Sequence, residues 1–345
     1  MFTTLLTSLL LLLPGAATAM EVTASEQNTA LRIALMGDIN GRYGSTEYPL
    51  LSQQWLQLTL ERQPQLILSI GDVIAGQKKE LSSHQVNRMW YAFEQYMLHP
   101  IQQQGGVWLP VIGNHDGSRA LSPLGHYLFA MERQQAEQFW QRHRPQSSDL
   151  QLLDDSHYPF YYSLLWHDIA IVVIDASGAT LSTAEQNWLT ATLNASVVQD
   201  ARFRLVVGHL PLVAVAEGRM QPGERLEQTE FLLDVMQTTK VDWYISGHQH
   251  AFYKAKLGHL GLLMAGGVPA RRLLSASAPR HVMTMLHIGQ EIRFKHWDLE
   301  HQQPFSLDEL PPFIDAQPIP LWRWPKQSLT YEAGSNTTGK GPEIR

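Results

Sequence analysis

The stretch Val107-Trp108-Leu109-Pro110-Val111-Ile112-Gly113-Asn114-His115-Asp116 is a short apolar run that stops at a glycine and three polar side chains able to bind a ligand. A continuous apolar run of this length suits a strand covered on both faces, and glycine with a polar residue ends it. The pattern repeats along the chain. Residues 31–36 end at Gly37-Asp38, 66–70 at Gly71-Asp72, and 169–174 at Asp175. Residues 205–207 end at Gly208-His209, and 241–245 at Ser246-Gly247-His248. Helical patterns lie between these runs. Residues 49–61 space Leu50, Leu51, Trp55, Leu58 and Leu60, and 83–103 space Val86, Met89, Trp90, Phe93, Met97 and Ile101. Residues 122–142 and 224–237 are two more, and Ser182 with Glu185 reads as a capping box opening a helix. Residues 161–165 and 169–174 read as a hairpin, and 252–256, 260–264, 281–287 and 292–297 as a late antiparallel set. The alternation predicts an α/β layered sandwich of mixed β-sheets flanked by helices.

The chain of 345 residues is 44% hydrophobic and 17% charged, long enough to bury a large core. It has no cysteine, which excludes disulfides, thiolate metal sites, a cysteine nucleophile and a lipidated-cysteine anchor. A net charge of -6 argues against a nucleic-acid partner. The apolar run 5–13, then Pro14-Gly15 and Ala17-Thr18-Ala19, reads as a signal peptide over residues 1–19, although no Lys or Arg precedes it. The reading is an exported protein, periplasmic or secreted, without stable membrane insertion after cleavage. A catalytic domain is expected over 20–300 and a Pro-rich extension over 301–345.

In an open α/β fold, residues just past the carboxyl ends of strands meet in one crevice. Here those residues are Asp38, Asp72, Asn114, His115, Asp116, His209, His248 and His250. Carboxylate and amide oxygens with imidazole nitrogens suit Mn, Fe, Zn or Mg, and there are more ligands than one tetrahedral ion needs. The five blocks Gly37-Asp38, Gly71-Asp72, Gly113-Asn114-His115-Asp116, Gly208-His209 and Gly247-His248-Gln249-His250, in this order, resemble those of the calcineurin-like metallophosphoesterase superfamily, which includes the purple acid phosphatases.

The resemblance implies two divalent or trivalent ions. Asp72 would bridge them, Asp38 and His250 would bind the first, Asn114, His209 and His248 the second, and His115 would meet the leaving-group oxygen. Two positions depart from the family. Asn40 stands where a histidine ligand is common, and Ala75 where purple acid phosphatases carry a tyrosine and protein phosphatases a carboxylate. Asn40 could offer its carbonyl oxygen, and Asp116 could orient His115 in place of the missing carboxylate. The expected chemistry is hydrolysis of a small-molecule phosphate ester by a hydroxide held between the ions. A phosphomonoesterase is the first reading, a phosphodiesterase or nucleotide pyrophosphohydrolase the second, and a non-catalytic metal-binding module the rival. Arg42 and Tyr43 are candidate substrate contacts, and residues 210–223 a candidate rim loop. Arg119 and Arg271-Arg272 read as solvated, with reach to phosphate as the alternative. Asp175 reads as a turn cap and Asp154-Asp155 as a solvated loop.

Overall fold

A computed structural model describes residues 30–274 and 278–310; the expected signal peptide and most of the Pro-rich extension lie outside them. The first sheet is built on β1 (Leu31–Met36), which pairs in parallel with β2 (Leu66–Ser69), itself parallel to β3 (Val107–Leu109). The other flank of β1 takes β11 (Val282–Ile288) antiparallel, followed by β12 (Ile292–Asp298) and β13 (Gln303–Pro304). The second sheet comprises β4 (Leu150–His157), β5 (Tyr161–Trp166), β6 (Ile169–Val173), β7 (Phe203–Val207), β8 (Trp243–Ser246), β9 (Phe252–Leu257) and β10 (Leu260–Ala265). Its order is β4-β5-β6-β7-β8-β10-β9, with β6, β7, β8 and β10 parallel. Strands β2, β6 and β8 are buried throughout and β1 and β7 at their C-terminal parts, as apolar runs covered on both faces require.

Helices flank the sheets: α1 (Leu50–Arg62), α2 (Ser83–Phe93), α3 (Ala130–Arg142), α4 (Thr183–Asn194) and α5 (Thr229–Thr238). A reciprocal capping box starts α2, where Ser82 Oγ accepts from the Gln85 N–H and the Gln85 side chain returns to the Ser82 N–H. The helix continues through a π-helical turn, Glu94–Leu98, into His99–Gln103. Pro100 lacks an N–H and its ring crowds the carbonyl four residues back, and the wider turn relieves that. The indole of Trp90 stacks on Phe139 at 4.5 Å, and Phe93 meets Trp108 edge-on at 5.1 Å, so α2, α3 and β3 share one aromatic core.

Five expectations change. Helix α3 starts only at Ala130, because residues 120–128 form a hydrogen-bonded turn with a Leu121–Tyr127 bridge. Helix α5 starts at Thr229, and 210–227 is loop. Ser182 accepts from the Glu185 N–H, but the Glu185 carboxylate serves the Asp175 N–H and Arg119 instead of closing the box. The late strands do not form one set: β9 and β10 join the second sheet, and β11 and β12 the first. Asp154 and Asp155 lie in β4, where Asp154 accepts from the Trp188 indole at 2.9 Å. Beyond residue 300, β13 pairs with β12, and Phe305 and Leu310 are buried. Among the described residues, no helix is long and apolar enough to cross a membrane.

Candidate metal centre

The strand tips bring the motif residues together by unusual backbone turns. Asp38, Asp72, His248 and His250 all have positive φ, between 49° and 69°. Such non-glycine conformations cost about 1–3 kcal/mol each and persist where the surroundings hold them. Here hydrogen bonds do so. The Asp38 carboxylate accepts the His248 N–H at 2.9 and 3.1 Å, and Asp72 Oδ1 accepts the His115 N–H at 2.8 Å. Asp116 accepts the N–H groups of Gly113, Asp72 and Val73 at 2.8 Å and of Ile74 at 3.0 Å. Close approach also explains two glycines. A Cβ on Gly113 would sit 2.1 Å from Asp72 Oδ1, and one on Gly247 2.4 Å from Asp38 Oδ2.

Four atoms converge on one point. His209 Nδ1 lies 2.7 Å from the Ile70 carbonyl, which can only accept, so Nδ1 carries the hydrogen and Nε2 turns inward. Asn114 Nδ2 donates to Gln77 Oε1 at 2.6 Å, which turns Asn114 Oδ1 inward. His248 Nε2 lies 2.9 Å from Glu224 Oε2, which leaves Nδ1 inward. From His209 Nε2, the distances are 2.9 Å to Asn114 Oδ1, 3.2 Å to Asp72 Oδ2 and 3.3 Å to His248 Nδ1. His248 Nδ1 is also 2.9 Å from Asn114 Oδ1. Four acceptors facing one another in a buried site repel unless a proton or a cation sits among them. Burial disfavours charge on His209, but the adjoining Asp72 outweighs it and pushes its pKa up to about 9. Burial, with His209 alongside, pushes His248 down to about 4 despite Glu224. Two nitrogens and two oxygens, with outer partners on both imidazoles, fit a borderline divalent metal.

Beside this cluster, His250 Nδ1 is 3.1 Å from the Pro269 carbonyl and Nε2 is 3.8 Å from Asp38 Oδ1. Burial pushes His250 down to about 3, leaving a neutral ring. Burial, reinforced by Asp72, raises Asp38 well above the carboxylate range. Asn40 is buried two residues beyond Asp38, and its amide makes none of the contacts that join Asp72, Asn114, His209 and His248.

His115 faces the same cavity. Its Nδ1 lies 3.0 Å from the Gly76 carbonyl, its Nε2 lies 3.9 Å from Asp72 Oδ2, and the Tyr43 ring is 5.0 Å away. Asp116 therefore does not orient His115; a backbone carbonyl does, and Asp116 clamps the two motif loops. The segment carrying that carbonyl is held by Glu132, whose Oε2 accepts the Gln77 N–H at 2.7 Å.

The cavity, about 520 Å³, includes Tyr43 but not Arg42, which is exposed. Arg119 lies on its wall; Arg271 and Arg272 are exposed and outside its lining, with Arg271 close enough to the wall residues Arg219 and Glu224 to feel their charges. Asp175 caps its turn through Ser177 Oγ at 2.5 Å and pairs with Arg133 at 2.8 Å. Leu210, Arg219 and Gly223 place the 210–223 loop on the rim. Buried Gln249, between the two histidines, ties that loop down by accepting from the Val215 N–H at 2.8 Å and donating to the Arg219 and Glu224 carbonyls. Gln77, Glu132 and Glu224 escaped the sequence reading. None sits in a block, and 224–237 read as helix.

A family profile described as calcineurin-like phosphoesterase matches residues 31–252. Among solved structures, the chain is similar to purple acid phosphatase PPD1 from yellow lupin (Lupinus luteus) seeds, with TM-score 0.59 and 14% identity over 80% of this chain and 53% of that one. It thus spans about half the length of the lupin protein. It is also similar to PhoD, with TM-score 0.55 and 9% identity over 81% of this chain and 71% of that one. GAP50, described as the anchor in the inner membrane complex of Plasmodium, gives TM-score 0.50 and 15% identity over 79% and 86%. At these identities the likeness is one of fold. No curated protein matches by sequence.

Proposed function

This chain belongs to the calcineurin-like phosphoesterase family, and from that premise we propose that it is an exported, metal-dependent hydrolase of small-molecule phosphate monoesters. The convergence of Asp72 Oδ2, Asn114 Oδ1, His209 Nε2 and His248 Nδ1, with the outward atoms of the amide and both imidazoles already engaged, carries the proposal. These four residues would hold one ion. Asp38, His250 and the shared Asp72 would hold a second, with the Asn40 carbonyl as a further donor. Such ions neutralise ester oxygens and lower the pKa of water towards ~7.

The remaining work falls to the chain. The Gly76 carbonyl fixes the His115 ring and leaves Nε2 towards the cavity, where it can give a proton to the leaving-group oxygen or meet its charge. Tyr43 flanks that position. A cavity of about 520 Å³ suits a small ester, and a net charge of -6 does not favour nucleic acid. The apolar run 5–13 ahead of Ala17-Thr18-Ala19 supports export to the periplasm or beyond.

The test is hydrolysis of an aryl phosphate and its bis-aryl ester by metal-stripped protein resupplied with Mn, Zn, Fe or Mg. The expected result is metal-dependent turnover with the monoester preferred, and loss of at least about 90% of it in Asp72→Asn and His248→Ala, because ligand loss removes the ion's charge. A preferred bis-ester would shift the reading to a phosphodiesterase. Bound metal without turnover of any ester would favour a binding module, the reading that Asn40, Ala75 and the likeness to an anchor protein support.

A further inference from the structure

We infer that the alcohol half of the substrate is apolar and uncharged, an alkyl or aryl group, so that the ester carries a single phosphate; this rests on the phosphoesterase reading above. The cavity wall holds Asp72, Asn114, His115, His248 and His250, and also Ala120, Leu121, Ala179 and Leu210 with the Tyr43 ring, interleaved with Ser118, Ser177 and Thr180.

A nucleotide or a polyphosphate would need further cations, because a phosphate away from the metals is best met by a free guanidinium or ammonium. Both arginines on the described wall are already engaged. Arg119 Nη1 lies 2.5 Å from Glu185 Oε2 and 2.9 Å from the Asp175 carbonyl. Arg219 Nη1 lies 2.6 Å from Glu224 Oε2, the same oxygen that meets His248. Glu227 adds a further carboxylate to the wall. On that wall a second anionic group would therefore meet cations already paired with carboxylates; outside it, Arg271 stands near Arg219 and Glu224.

The apolar part of the wall continues outward through Leu121. Leu121 belongs to a turn closed by the Leu128 N–H on the Ala120 carbonyl at 2.9 Å and the Ser122 N–H on the His126 carbonyl at 2.8 Å. On that turn Leu121 is 54% exposed, Leu124 84%, Tyr127 45% and Leu128 41%. Large apolar side chains held in water by an ordered turn beside a site mark a surface for an apolar ligand. Its continuity with the cavity, through Leu121, makes the substrate's own alcohol half the occupant.

The experiment measures kcat/KM for ethyl, butyl, hexyl and octyl phosphate, whose leaving groups differ little in basicity, and for a nucleoside monophosphate. Each methylene that leaves water completely is worth about fourfold. The expected result is a rise of at least about tenfold from ethyl to hexyl phosphate, with the nucleotide below hexyl phosphate. The double substitution Leu121→Asp with Leu124→Asp flattens the series. A flat series in the unaltered protein, or preference for the nucleotide, would overturn the inference while leaving the phosphoesterase reading intact. Calorimetric affinities for ethyl- and hexylphosphonate, which the enzyme cannot cleave, read the same contrast without turnover. An inactive preparation thus still decides the inference, while its inactivity counts against the activity itself.

Discussion

At the residue scale, the side chains around the site divide into those that face the cavity and those that aim them. Asp116 is the clearest of the second kind, one carboxylate receiving four backbone N–H groups from both motif loops. Removing it leaves those donors buried and unpaired, at about 1–3 kcal/mol each. Asp116→Ala should therefore lower unfolding stability in urea by at least about 3 kcal/mol; a loss below about 1 kcal/mol would contradict the clamp. Glu224 aims His248 and engages Arg219. Outer partners of ligand histidines typically hold about 10–100-fold in metal affinity. Calorimetry on Glu224→Gln should show that loss with a nearly unchanged unfolding midpoint, and unaltered affinity would show that Glu224 does not support the ion. The candidate ligands were legible because each follows an apolar run in a recognisable block. Glu132 was not: its contact to Gln77 crosses 55 residues of chain, and no local pattern encodes it.

At the element scale, the helices and strands were legible where periodicity alone decides them and misread where a turn or a distant partner intervenes. Leu124, Tyr127 and Leu128 fit a helical stripe, yet the hydrogen-bonded turn places them in water. Ser182 and Glu185 fit a capping box, yet Asp175 and Arg119 take the carboxylate. Strand β12 holds a titration device outside the site. His296 is buried between Phe252 and Phe294, with Nδ1 3.0 Å from Thr284 Oγ1 and Nε2 without a hydrogen-bond partner among the described residues. Burial, aided by Lys254, pushes its pKa down to about 3. The unfolded chain protonates near pH 6.5 and the native state resists, so this contribution is full above pH 6.5 and is lost as pH falls towards 3. Between pH 7 and 5 the group should withdraw about 2 kcal/mol. Urea midpoints for His296→Phe should show a correspondingly smaller drop over that interval, and an unchanged drop would contradict a neutral buried ring.

At the scale of the whole molecule, the sheets meet at their functional ends. The blocks ending in Asp38, Asp72 and Asn114 follow strands of the first sheet, while His209 follows β7 and His248 and His250 follow β8. The sequence made the strand tips legible but not the sheet to which each late strand belongs, because apolar runs carry no partner label. A cation held by both sets of tips would tie the sheets together and bind only the folded chain. Unfolding free energy should therefore rise by about 2.7 kcal/mol at a free metal concentration one hundred times Kd. That increment should vanish in His248→Ala, and its persistence there would place the ion elsewhere. The central claim, that the strand tips form a metal centre, is tested most directly by anomalous scattering from crystals grown with Mn or Zn. The account predicts a peak within bonding distance of Asp72, Asn114, His209 and His248, with a second beside Asp38 and His250. Crystals with no peak at either position, or with metal bound only at other residues, would contradict it.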